Sequence, residues 1–155
     1  MDSLRSKEQA AKARALFLQG YSCAQAVFAA FAGPMGLSLE QALKLSAGLG
    51  GGIGGLRLTC GAVSAMAMVL GALQGYGGPE DREGKQRLYQ RIQALHSRFV
   101  ETYQASDCFT LLKNAGVEPK ALPAERTPAY YQTRPCVQYV ESCAELVAQA
   151  LLQEK

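Results

Sequence analysis

Wherever this chain shows a hydrophobic period, the period is helical. Between Ser3 and Gln19, Ala10, Ala13, Leu16 and Phe17 recur at steps that keep one helical face apolar, and Gly20 stands where a C-cap is wanted. Ser22 caps a second helix, Cys23 to Phe31, which Gly33-Pro34 ends. Ser38-Leu39-Glu40-Gln41 has the capping-box pattern and opens a third helix, which runs to about Ala47. A fourth runs from Cys60 to about Gln74, where Gly75 to Pro79 breaks it. A long charged helix spans Pro79 or Glu80 to about Gln104, with Leu88, Ile92, Leu95 and Phe99 as its buried stripe. A short helix starts at Cys108, and a last one runs from Cys136 to about Gln153. Period-two alternation never persists for more than a few residues, so no strand competes. The expected fold is all-α, a compact single-domain bundle of about six to seven helices over residues 1–155.

Two segments resist this pattern. From Gly48 to Gly55, six of eight residues are glycine, so a glycine-rich turn precedes the central helix at Cys60. Gly116 to Thr133, with Pro119, Pro123 and Pro128, reads as a surface loop.

Four of the five cysteines sit at helix starts. Cys23 follows Ser22, Cys60 follows Thr59, Cys108 follows Asp107 and Cys136 follows Pro135. A helix N-terminus offers unpaired N–H groups and partial positive charge, and both favour a thiolate over a thiol. The four cysteines are far apart in sequence and no CxxC pair occurs, so a shared site requires tertiary packing of several helix starts. The fifth, Cys143, falls in mid-helix and reads as a packing residue.

Net charge is +3, and basic residues alternate with acidic ones along the helices without aromatic interleaving, which argues against nucleic acid. The apolar stretch Gly61 to Leu73 is too short to cross a bilayer, so no membrane insertion is expected. Residues 1–12 are polar and charged, unlike a secretory signal, which makes a cytoplasmic location the expectation. In a reducing compartment, cysteines serve metal binding or redox turnover more often than permanent disulfides.

The chain also resembles a known family. Gly20-Tyr21-Ser22-Cys23-Ala24-Gln25-Ala26-Val27, the glycine turn Gly50-Gly51-Gly52-Ile53-Gly54, Cys60-Gly61-Ala62-Val63-Ser64-Ala65 and Arg134-Pro135-Cys136 are similar to the hallmarks of the redox-active C-GCAxxG-C-C family, with Cys108 matching its third cysteine. Ala65 replaces the last glycine of the motif, a small residue for a small one. The resemblance implies a helical, redox-associated protein and supplies no substrate. Related domains joined to electron carriers make an iron centre the cofactor expected by analogy.

Three functions fit these residues. In the favoured one, Cys23, Cys60, Cys108 and Cys136 ligate iron or an iron–sulfur cluster for electron transfer. In the second, no metal is bound, Cys60 is the nucleophile, and Cys23, Cys108 or Cys136 resolves the disulfide formed with a thiol partner. In the third, the same four cysteines close a structural zinc site. Partners are therefore an electron-transfer or thiol protein, and the Ala-rich helix from Gly61 could pack against its twin in a homodimer.

Gly52, Gly54 and Gly61 are the candidate cofactor-binding positions. Bare N–H groups in the glycine turn can donate to sulfur or a small anion, and Gly61 admits a close neighbour. The GxGxxG match there lacks a preceding strand and does not support a dinucleotide site. Arg57, three residues before Cys60, could lower a thiolate pKa or hold an anion but reads first as a solvated arginine; His96 reads as a partly buried structural histidine in preference to a metal ligand; and Ser64 has no histidine or acid near it in sequence.

Overall fold

A helix that is apolar on nearly every side is stable only when it is surrounded. That is the condition of α2 (Cys23–Ala30), whose sequence CAQAVFAA buries Ala24 and all of Ala26 to Ala30. The computed structural model describes residues 2–153. In it, α1 (Asp2–Leu18), α4 (Leu39–Ser46), α6 (Gly61–Gln74) and α10 (Cys136–Gln153) all pack against α2. Helix α1 also lies along α10, and α6 contacts both α10 and α7 (Arg82–Tyr103). Ala24, Ala26, Ala62 and Ala65 are fully buried, and these short side chains let α2 and α6 approach closely. The described residues are 73% helical and the fold is all-α, with seven helices of substantial length among them.

Local sequence explains the helix ends. Ser22 and Ser38 each complete a capping box, with Gln25 and Gln41 returning the bond. Asp81 accepts from Gly84 N–H at 2.9 Å, so α7 begins at Arg82, two or three residues after the expected start. Leu88, Leu95 and Phe99 are buried as the stripe requires, and Ile92 is half-buried against the core.

The structure adds three short helical pieces. Ala32–Met35 (α3) turns through the expected Gly-Pro break and stops at left-handed Gly36. Gly50–Ile53 (α5) is a distorted turn in which Gly51 and Gly52 have φ of 67° and 68°. Pro128–Thr133 (α9) lies within the stretch expected to be loop, because Thr127 caps it and Pro128 starts it. Helix α6 begins one residue later than expected: Cys60 is the residue before its first turn.

No strand forms among the described residues. One antiparallel bridge pairs Thr59 with Asp107. Around it, Cys60 N–H donates to Ser106 C=O at 2.8 Å, and Cys108 N–H donates to Leu58 C=O at 2.6 Å. This clasp joins the segment before α6 to the start of α8 (Cys108–Asn114), with Cys60 opposite Ser106 and Cys108 opposite Leu58. No helix among the described residues is long and apolar enough to cross a membrane.

Candidate functional site: a thiol pair under a glycine turn

Cys23 and Cys60 form the centre of the site. Cys23 is the first residue of α2, half-buried, and Cys60 is buried immediately before α6. The two sulfurs are hydrogen-bonded to each other. The helices come close enough for this because residue 61 is glycine. A Cβ there would lie 2.7 Å from Cys23 Sγ, 3.0 Å from Leu49 O and 3.1 Å from Ala24 Cβ.

The pair is electrostatically asymmetric. Cys23 sulfur also accepts backbone N–H groups of Ala24, Gly51 and Ala62, whereas Cys60 has only that of Val63. Hydrogen bonds to the charged form favour it. The Cys60 thiol, aided by those three N–H groups, therefore lowers the Cys23 pKa from 9.0 to about 7 despite its burial. Donating to Cys23, together with its own burial, pushes Cys60 well above the ordinary value. Near neutral pH Cys23 is the member of the pair that ionises, and Cys60 keeps its proton.

The glycine turn has a visible purpose here. Gly51 and Gly52 both adopt left-handed backbone, which favours glycine. The Gly51 N–H is thereby aimed at Cys23. Gly52 packs so tightly on the next segment that a Cβ would come within 2.6 Å of Leu58 N. Arg57 N–H and Leu58 N–H donate back to Gly51 and Gly52 C=O at 3.0 and 2.9 Å, closing the turn. Gly54, also left-handed, lies on the rim of the adjoining cavity.

Cys108 and Cys136 stand further out, both half-buried. Burial raises the Cys108 pKa, opposed by Arg57, whose Nη1 donates to its sulfur at 3.4 Å. Burial pushes Cys136 up to about 12, reinforced by the negative charge of Cys23 and opposed by Arg134. Cys143 is fully buried, its pKa is raised by burial, and it lies within electrostatic reach of both Cys23 and Cys60. All five cysteines are free thiols.

The arrangement is thus a bonded pair with outlying members. Among the described residues no group of three or more His, Cys, Asp or Glu side chains is set to hold a metal ion. As placed, the four sulfurs do not form the closed ligand set that iron or zinc would need.

Two residues take partners that their sequence positions do not reveal. Arg57, expected in solvent, is half-buried, and besides Cys108 its Nε donates to Lys120 C=O at 2.8 Å. Its φ of 59° is unusual for a residue with a side chain and marks a constrained position. His96 is half-buried as expected, and its Nε2 lies 2.8 Å from Ser106 Oγ. Since Ser106 C=O accepts the Cys60 N–H, His96 braces the clasp that positions Cys60. The intervals from Arg57 to Cys108 and from His96 to Cys60 are too long for local patterns to reveal.

A family model described as "Putative redox-active protein (C_GCAxxG_C_C)" matches residues 21–150, which takes in Cys23, Cys60, Cys108 and Cys136. The chain belongs to this family. No curated protein and no solved structure matches it. Family membership makes this a redox-associated helical protein, and the motif residues Cys60-Gly61-Ala62 are those that press against Cys23.

Proposed function

We propose that this protein is a thiol–disulfide oxidoreductase in which Cys23 is the attacking thiolate and Cys60 the resolving thiol. The observation that carries this reading is the asymmetric pair: Cys23 holds four lowering hydrogen bonds, one of them from Cys60 itself. A thiol with a pKa near ambient pH is close to optimal for exchange. The roles are the reverse of those expected from sequence, where Cys60 was the nucleophile, because the glycine turn serves Cys23.

The chemistry balances with a disulfide as co-reactant. Cys23 thiolate attacks one sulfur of R–S–S–R, that bond breaks, and RS⁻ leaves. Cys60 sulfur then attacks Cys23 sulfur in the mixed disulfide, a Cys23–Cys60 bond forms, and the second RS group departs with the Cys60 proton as RSH. The substrate gains two electrons and the protein loses two.

The four cysteines also remain the candidate ligands of the iron, iron–sulfur or zinc readings. The observation in their favour is that Cys108 and Cys136 both feel the charge on Cys23. The test is metal analysis of protein purified without oxygen, followed by exposure to a small disulfide and peptide mapping. Metal-free protein that closes a reversible Cys23–Cys60 disulfide is the expected result. Stoichiometric iron lost in Cys60→Ser would overturn the thiol reading for an electron-transfer centre, and zinc lost in that variant would replace it with a structural site.

A further inference from the structure

Beside the thiol pair lies a cavity of about 330 Å³ whose wall carries three arginines and no acid. Arg57, Arg126 and Arg134 line it, with Ser22, Gly51 and Tyr130 between them. Small-molecule sites begin at about this volume. Arg126 and Arg134 flank the short helix α9 and Arg57 comes from the glycine-turn segment, so the convergence of Arg57 with the other two is a product of the fold.

All three are half-buried and held in place without carboxylates. Arg126 donates to Phe17 C=O at 3.2 Å, Tyr21 C=O at 2.9 Å and Tyr131 Oη at 3.3 Å. Its guanidinium also lies over Phe17 and Tyr130, 4.5 and 4.6 Å from the ring centres. Arg134 lies over Tyr130 at 4.8 Å. Arg57 is fixed by Lys120 C=O and Cys108 Sγ. Carbonyls and rings orient guanidinium groups without neutralising them. The ion pairs Arg14–Glu141, Lys44–Glu40 and Lys113–Glu118 involve none of the three. Three positive charges in one concavity create a field that attracts anions and concentrates them.

No sulfur lines the cavity, but its wall is built from residues that adjoin them. Ser22 precedes Cys23, Gly51 donates its N–H to Cys23 sulfur, and Arg57 donates to Cys108. Arg134 and Arg126 both act on Cys136. A molecule seated among the guanidiniums therefore lies against the wall formed by Ser22 and Gly51, the residues that adjoin Cys23.

We infer that the cavity binds the carboxylate groups of a small anionic disulfide and presents its sulfur–sulfur bond to Cys23. This rests on the thiol reading above and assigns its substrate class. The exchange is the balanced one already given, with R carrying a carboxylate that a guanidinium can bind through paired N–H donors. Neutral disulfides lack that attraction and cationic ones are repelled.

The test is a charge series with the full-length reduced protein. Rates of Cys23 oxidation are measured with dithiodiglycolate (anionic), bis(hydroxyethyl) disulfide (neutral) and cystamine (cationic). Each is divided by the rate for the urea-unfolded chain to remove intrinsic reactivity. We expect the anion to exceed the neutral disulfide by roughly tenfold at low salt, cystamine to be slowest, and the spread to shrink as salt rises. Arg134→Gln and Arg57→Gln should each compress the anion-to-neutral ratio. A ratio near one in the native protein would overturn the cavity's role while leaving the thiol reading intact. Failure of every disulfide to react would overturn the thiol reading. The cavity is then judged by calorimetric binding of dithiodiglycolate to Cys23→Ser: saturable binding that weakens in the Cys23→Ser, Arg134→Gln double variant sustains the anion site, and no binding refutes it.

Discussion

Cys60→Ala should shift the titration of a different cysteine. In the native protein Cys23 has a pKa of about 7, against an ordinary 9.0. At pH 7 about half of it is thiolate instead of about one part in a hundred, a gain of about fiftyfold in the attacking species. Nucleophilicity falls with basicity, and a Brønsted slope of about 0.45 over two units returns roughly eightfold. The net acceleration over an ordinary accessible thiol is therefore only about sixfold, and half-burial reduces it further. The midpoint of the pH–rate curve is consequently a better observable than the rate. Alkylation by iodoacetamide, resolved to individual peptides by mass spectrometry, should show Cys23 titrating near pH 7. Removing the Cys60 S–H donor deletes the largest lowering influence. The midpoint should rise by about one unit or more, a roughly fivefold or greater loss of thiolate at neutral pH. Cys60→Ser keeps an O–H donor and should retain much of the lowering, although it can form no disulfide. A native midpoint near 9, a midpoint indifferent to Cys60→Ala, or faster alkylation of Cys60 than of Cys23 would refute the assigned polarity.

Other outcomes follow from the same geometry. Gly61→Ala puts a methyl group 2.7 Å from Cys23 Sγ; it should cost about 1–3 kcal/mol in urea unfolding and raise the Cys23 midpoint by spreading the pair. Gly52→Ala should destabilise comparably, since it combines left-handed backbone with a 2.6 Å approach to Leu58 N; Gly33→Ala, which has open space, serves as the control. Stability should depend on pH in two opposed phases. Cys23, lowered in the folded state, contributes stability that is full above pH 9 and lost as pH falls through about 7. Cys60, Cys108, Cys136, Cys143, Tyr130 and Tyr139, all raised, contribute stability that is full below their unfolded values and lost as pH climbs toward their folded ones. Thermal melts should therefore improve from pH 7 towards 9 and collapse in stronger alkali; a flat profile would contradict both phases. Cys143→Ala should cost about 1 kcal/mol or somewhat more by leaving a small void, and should still allow the Cys23–Cys60 disulfide to form on oxidation.

Local signals were enough to read the helices. Capping boxes at Ser22 and Ser38, glycine and proline stops, and the Leu88 to Phe99 stripe are all encoded within a turn or two of the residues they govern. For the same reason the placement of cysteines at helix starts was visible without knowing where those helices go. The ends of α7 and α6 and the short helix at Pro128 were missed by margins that depend on which neighbouring group captures a single N–H.

The sequence by itself determined that this chain is helical, that it is interrupted by a glycine turn, and that four thiols stand at helix entrances. Those properties depend on backbone preference and short-range hydrogen bonding. Only the tertiary structure decided which thiols meet and which carries the charge. Cys23 and Cys60 are joined by the close approach at Gly61, and the segment of Cys108 is tied to that of Cys60 by the clasp between Thr59 and Asp107. The Gly51 N–H reaches Cys23 across a gap of 28 positions (51 − 23). Arg57, Arg126 and Arg134 gather around one cavity from segments whose spacing carries no period. Electrostatic polarity depends on distance in space, and a linear sequence specifies that only through the packing of the whole.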